Sequence, residues 1–143
     1  FPYTTLFRSL DVLKEIENQF VEEKLVKLDS YWTGAMDQGH MAAIISIVLQ
    51  DKELCRILMS ENGDPQFLIS LKHLVKDGVV DGWIKDHPKI SKEKLAFLYD
   101  YVFSGSTQLI LSWIRNPQGI SPEEFSEFLE SLGHHALLAA EKF

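Results

Sequence analysis

A single cysteine cannot form an internal disulfide, so Cys55 leaves this chain to be held together by packing alone. That scarcity fits a cytoplasmic compartment. The context LCRIL around Cys55 is apolar, which favours a small core residue over a reactive thiol. Basic residues are also few: 14 Lys and Arg stand against 21 Asp and Glu, a formal charge of −7. Phosphate-binding surfaces need clustered Lys and Arg, and no window supplies a basic stripe. Nucleic acid and anionic membranes are therefore excluded as partners of this segment itself. The most apolar run, Met41–Leu49 (MAAIISIVL), is too short to cross a bilayer and reads as a buried helix. A secretory h-region and cleavage site are likewise missing.

Catalytic patterns are absent too. The sequence holds no GxSxG elbow, no Cys/His nucleophile signature and no phosphate-cradling glycine loop. Carboxylate pairs such as Glu22-Glu23 and Glu123-Glu124 fall on solvated faces or in a first helical turn. His134 and His135 are neighbours, about 100° apart on a helix, and cannot both face one metal. Glu130, four residues before His134, is read as its exposed ion-pair partner. No catalytic residue, metal ligand or cofactor site is assigned, and the chain is not read as an enzyme.

What the sequence does have is helical periodicity. At 143 residues it is one domain, able to bury close to 70% of its unfolded surface. Phe1–Ser9 (FPYTTLFRS) does not share the period that follows. It is either a frayed terminus or foreign sequence resembling translated adapter, so residues 1–9 are set apart from a domain at 10–143. Ser9 is the expected N-cap of a first helix through Ser30, with Leu10, Leu13, Ile16, Phe20, Leu25 and Leu28 on one face. Tyr31–Gly34 breaks the pattern, and a second helix is expected over Met36–Gln50. A short third helix, capped by Asp51, runs to Ser60, where Asn62-Gly63 ends it with a residue able to adopt positive φ. Asp64 and Pro65 open a fourth, with Phe67, Leu68, Leu71, Leu74, Val75, Val79 and Trp83 facing inward. Gly78 and Gly82 inside it mark a kink, a close contact or an early end. Ser91 caps a fifth helix. Ser121, Pro122 and Glu124 open a sixth with a capping box, and Ile120 can staple to Phe125. Six helices without an alternating strand pattern predict an all-α domain.

The fifth helix is apolar on two sides. Leu95, Tyr99, Val102, Ser106, Leu109 and Trp113 make one stripe; Ala96, Phe103, Thr107, Ile110 and Ile114 make another. Such a helix is enclosed by its own domain on one side and by something else on the other. Ser104–Thr107 is small enough for a second backbone to approach, and Gly133, Ala136 and Ala139 thin the sixth helix in the same way. The pair is expected to pack on its twin in a second chain, forming a dimeric four-helix bundle. Gly105, Ser106, Leu109, Ser112, Phe128, Leu132, Ala136 and Ala140 are the expected interface.

A cavity is expected where the second helix faces the fourth and fifth, lined by Met36, His40, Ile44, Phe67, Leu71, Tyr99 and Phe103. Pliable Met beside rigid aromatics suits a small, mostly apolar effector. His40 and the Tyr99 hydroxyl would supply directional contacts, and with no Arg or Lys in the set, a neutral guest fits better than an anion.

Three runs carry a resemblance: RILMSENGDPQFL (Arg56–Leu68), YDYVFSGSTQLILSWIRNP (Tyr99–Pro117) and SPEEFSEFLESL (Ser121–Leu132). With SENGDPxF between two helices and SGxxxxIxxW in the penultimate helix, the chain resembles the C-terminal domain of TetR-family transcriptional regulators from about Leu10 to Ala140. The resemblance implies a homodimer through the last two helices, an internal effector cavity, and DNA binding by an N-terminal helix-turn-helix. That helix-turn-helix, and the aromatic YYHF-type segment that closes it, are not in this sequence, so the chain is expected to be a fragment of a longer regulator. The competing expectation is a helical protein–protein interaction module with no small-molecule ligand.

Overall fold

Helix starts in this chain are fixed by side chains that take up otherwise orphaned N–H groups. In the computed structural model, which describes residues 2–25, 40–60 and 63–143, Asp64 Oδ1 accepts from Gln66 N–H at 2.9 Å. Ser91 Oγ accepts from Lys94 N–H at 3.3 Å, and Ser121 Oγ from Glu124 N–H at 3.1 Å. The helices that follow are α4 (Pro65–Asp86), α5 (Lys92–Arg115) and α6 (Pro122–Ala140). Pro at the first position of α4 and α6 has no N–H to leave unsatisfied. α4 runs unbroken through Gly78 and Gly82, so neither glycine ends it.

Upstream lie α1 (Pro2–Phe20), which continues as a π-helical turn over Val21–Leu25, then α2 (His40–Gln50) and α3 (Lys52–Leu58). The expected boundary at Ser9 is not there. α1 passes through that residue, so Ser9 is helix interior rather than an N-cap. Asp51 does hold the N-cap position of α3, but its side chain accepts no capping hydrogen bond: its carboxylate pairs with Lys24 at 2.9 Å, tying the π-turn to α3. Leu28, the Tyr31–Gly34 break and Met36 fall outside the described residues. No strand occurs among the described residues, and the all-α class holds.

Two connections depend on backbone detail. A Cβ on Gly63 would stand 2.4 Å from the Ile57 carbonyl oxygen and 2.9 Å from that of Leu58. Only glycine lets the chain fold back so tightly on the end of α3. Between α5 and α6, Gln118 and Gly119 adopt φ of 53° and 79°. Trp113 Nε1 donates to the Ile120 carbonyl at 3.1 Å across that turn, and the Trp113 ring stacks on Phe125 at 4.8 Å.

The core divides in two. One part joins Phe20, Met41, Ile45, Val48, Cys55, Leu58 and Phe67 to Ile110, Trp113, Ile114, Phe125 and Leu129. The other joins Val75, Val80, Trp83, Ile90, Leu95 and Tyr99 to Leu137. α4, α5 and α6 run through both, so these three helices bridge the halves. The α4–α5 contact is reinforced by Lys72 and Asp100, paired at 3.0 Å. Leu74, expected inward, is instead 55% exposed, while Val80 is buried. Leu74 sits at the margin of the α4 stripe, and rotating the helix to bury Trp83 and Val80 turns that margin outward.

Candidate functional site

Where the two halves of the core meet, their side chains do not close up. A cavity of about 140 Å³ remains, lined from α2 by Met41, Ile44, Ile47 and Val48, and from α3 and its end by Cys55, Leu58 and Met59. α4 contributes Phe67, Leu71, Val75, Val79 and Trp83; α5 contributes Tyr99, Val102, Phe103, Ser106, Thr107 and Ile110; Phe20 of α1 adds one more wall. Aromatic rings make up part of its wall: Trp83 and Tyr99 stand 6.3 Å apart and Tyr99 and Phe103 5.7 Å, both pairs tilted.

Ile44, Phe67, Leu71, Tyr99 and Phe103, expected from the sequence, all line this space. Met36 lies outside the described residues. His40 is not in the lining: it is the first residue of α2, beside Met41, whose N–H donates to Glu130 Oε1 at 3.2 Å. Glu130, expected as the partner of His134, thus reaches across from α6 to the α2 N-terminus, where a carboxylate complements the helix dipole. His135 meanwhile donates Nδ1–H to the Ser131 carbonyl at 2.7 Å.

Electrically, the cavity is bare. No charged side chain lines it among the described residues. Its three hydroxyl bearers contribute little, since the Tyr99 hydroxyl donates to the Lys72 carbonyl at 2.6 Å and Thr107 Oγ1 to the Phe103 carbonyl at 3.0 Å. Burial pushes the Tyr99 hydroxyl well above its ordinary value, with the Asp100 charge adding to the effect. Burial likewise pushes the Cys55 thiol up to about 11, so it is a packed core group and not a nucleophile. The Tyr99 hydroxyl, expected to greet a guest, is therefore already engaged in joining α4 to α5.

Outside the cavity, α5 and α6 present a different face. Gly105 and Ser112 are exposed, with Phe128 and Leu132 about half exposed, and nothing lies within 4 Å of a Cβ built on Gly105. Phe97 and Tyr101, 77% and 73% exposed, continue the α5 stripe toward its N-terminus. Their period relative to Gly105 carried that signal in the sequence. Ser106, also expected there, is half-buried and lines the cavity. Leu109 packs against the first part of the core and Ala140 against the second. Ala136 is half-buried.

Cavity, cysteine and histidines offer no catalytic constellation, and no group of acidic, His and Cys side chains among the described residues could hold a metal ion. No described helix is long and apolar enough to cross a membrane. No curated protein and no solved structure matches the chain. The family model of a transcriptional regulator C-terminal region, that of the TetR regulators, matches residues 38–135. That match takes in α2 through most of α6, the helices that build both the cavity and the exposed stripe, and the chain belongs to the C-terminal region of the TetR-family transcriptional regulators.

Proposed function

We propose that the chain is the effector-binding and dimerisation domain of a TetR-like regulator, and that it acts on DNA only through a helix-turn-helix carried elsewhere in the parent protein. The observation that supports this most directly is the apolar cavity at the junction of the two core halves. A guest there touches α2, α3, α4 and α5 together, so its presence changes how the halves sit on one another. A small effector held on all sides by apolar walls gains affinity from burial, and a charged group inside would be left unpaired. The exposed stripe of α5 and α6 supports a two-fold contact of the kind the family resemblance implies, in which each chain offers the same face.

Toluene is the probe that tests the cavity. At one hundred times its dissociation constant it adds about 2.7 kcal/mol to stability by mass action, visible as a rise in melting temperature. Val102→Phe places a ring in the space and should abolish the rise without lowering the starting melting temperature. A wild-type protein indifferent to toluene would sink the effector reading.

A further inference from the structure

The buried cavity has a neighbour. On the outer side of the α4–α5 contact lies an open groove of about 270 Å³, and Met59, Phe103 and Thr107 line both spaces. Those side chains form the partition between inside and outside. Their make-up suits a passage: Met59 is an unbranched, readily rearranged thioether at the end of α3, and Phe103 is only partly buried. The two sides of the partition differ in chemistry. Inside, no charge is present. Outside, the groove carries Lys72, Ser104 and Gln108 beside apolar Leu68, Ile69 and Leu111.

Beside the groove, Asp100 Oδ1 lies 3.0 Å from Lys72 Nζ and 3.7 Å from Lys76 Nζ. Among the described residues, one carboxylate thus faces two ammonium groups in this cluster, and Lys72 is the one that lines the groove. The hydrogen bond from Lys72, with the charges of both lysines, holds the Asp100 carboxyl below its ordinary value.

We infer that the effector is an amphiphilic carboxylate, its apolar end in the cavity, its stem passing between Met59 and Phe103, and its carboxylate in the groove against Lys72, Ser104 and Gln108. This rests on the effector reading above and narrows it to a chemical class. Size sets the buried end: an apolar cavity of roughly 150 Å³ accommodates benzene, so one ring or a branched alkyl group of that bulk fills 140 Å³. An anionic head departs from the neutral guest expected from the sequence, an expectation drawn from a set of residues that did not include Lys72.

Hydrocinnamate and its neutral counterpart hydrocinnamyl alcohol share a ring and stem and differ in the head, and calorimetric titration compares them with toluene. At low ionic strength hydrocinnamate should bind up to about fivefold more tightly than the alcohol, the range for a partly exposed ion pair, and salt should erode the difference. Lys72→Gln removes the cation and the exposed Gln108→Glu adds an opposing charge. Each should abolish the preference, while toluene, which has no head to reach the groove, should bind each variant as it binds wild type. Toluene binding combined with an alcohol bound as tightly as the acid overturns the amphiphile and leaves the cavity reading intact. A preference that survives both substitutions also overturns it, by placing the carboxylate elsewhere. Failure of all three compounds to bind removes the cavity reading and this inference with it.

Discussion

Tyr99 shows how a residue's chemistry is decided by its partners. Its ring lines the cavity while its hydroxyl bridges to the Lys72 carbonyl, so the two ends of one side chain do different work. Tyr99→Phe should lower stability by about 1 kcal/mol, the net worth of a hydrogen bond, read as a shift in urea midpoint. Toluene affinity should stay within a factor of about two, because the hydroxyl is turned away from the guest. Glu17 is the second residue-scale case. It is 7% exposed, and its carboxyl is pushed above its ordinary value of 4.5, first by burial and then by the nearby Asp64 charge, with Lys14 opposing. Between 4.5 and the raised value the folded state holds more protons than the unfolded state. Wild-type stability therefore falls as pH rises through that window, and the penalty is absent below it. Glu17→Gln should be more stable than wild type at neutral pH, with the difference vanishing in acid. Urea unfolding at both pH values measures it, and a difference that persists in acid would rule out titration of Glu17 as its source.

At the scale of elements, α5 is the shared part. One side closes the cavity, through Tyr99, Val102, Phe103 and Ser106, and the other is bare at Phe97, Tyr101, Gly105 and Ser112. An effector that shifts α5 has a direct mechanical path to whatever covers the bare side. Gly105→Arg tests what covers it. The added side chain meets nothing in its own chain, so helicity and monomer stability should change little. An isologous contact burying on the order of 1,200–2,000 Å² would be broken by two long cations facing each other. If this face carries the proposed two-fold contact, wild type should sediment as a dimer and the variant as a monomer at low micromolar concentration. Retention of the dimer would move the interface elsewhere.

For the molecule as a whole, charge is the dominant long-range property. At −7, the chain repels duplex DNA at a distance, and Lys72 and Lys76, which share a face of α4, are met there by Asp100. It should show no salt-sensitive binding to duplex DNA, and a fluorescence anisotropy titration across ionic strengths checks this. Submicromolar binding at physiological salt would require a basic surface that the composition does not supply.

By itself the sequence determined the elements, because their signals are local. Asp64-Pro65, Ser91 and Ser121-Pro122 each cap a helix by reaching two or three residues along the chain, and such bonds need no tertiary partner. The apolar lining was legible for a related reason: Ile44, Phe67, Leu71, Tyr99 and Phe103 lie on inward stripes that periodicity exposes. Tertiary structure alone decided that both apolar stripes of α5 face in, Tyr99, Val102 and Ser106 from one and Phe103, Thr107 and Ile110 from the other, and that a third face, with Phe97, Tyr101 and Gly105, is left bare. Gly105 and Ser106 are a single residue apart, and the rotation of α5 about its axis, set by α4 and α6, sends Ser106 to the cavity and Gly105 to the outside. The same holds for polar side chains with long reach. Asp51 turned to Lys24, Glu130 to Met41 and the Tyr99 hydroxyl to Lys72, each to a partner at least 27 residues away. Periodicity is blind to such pairings because a hydrogen bond is short in space and unconstrained in sequence, so only the packing of helices brings donor and acceptor together.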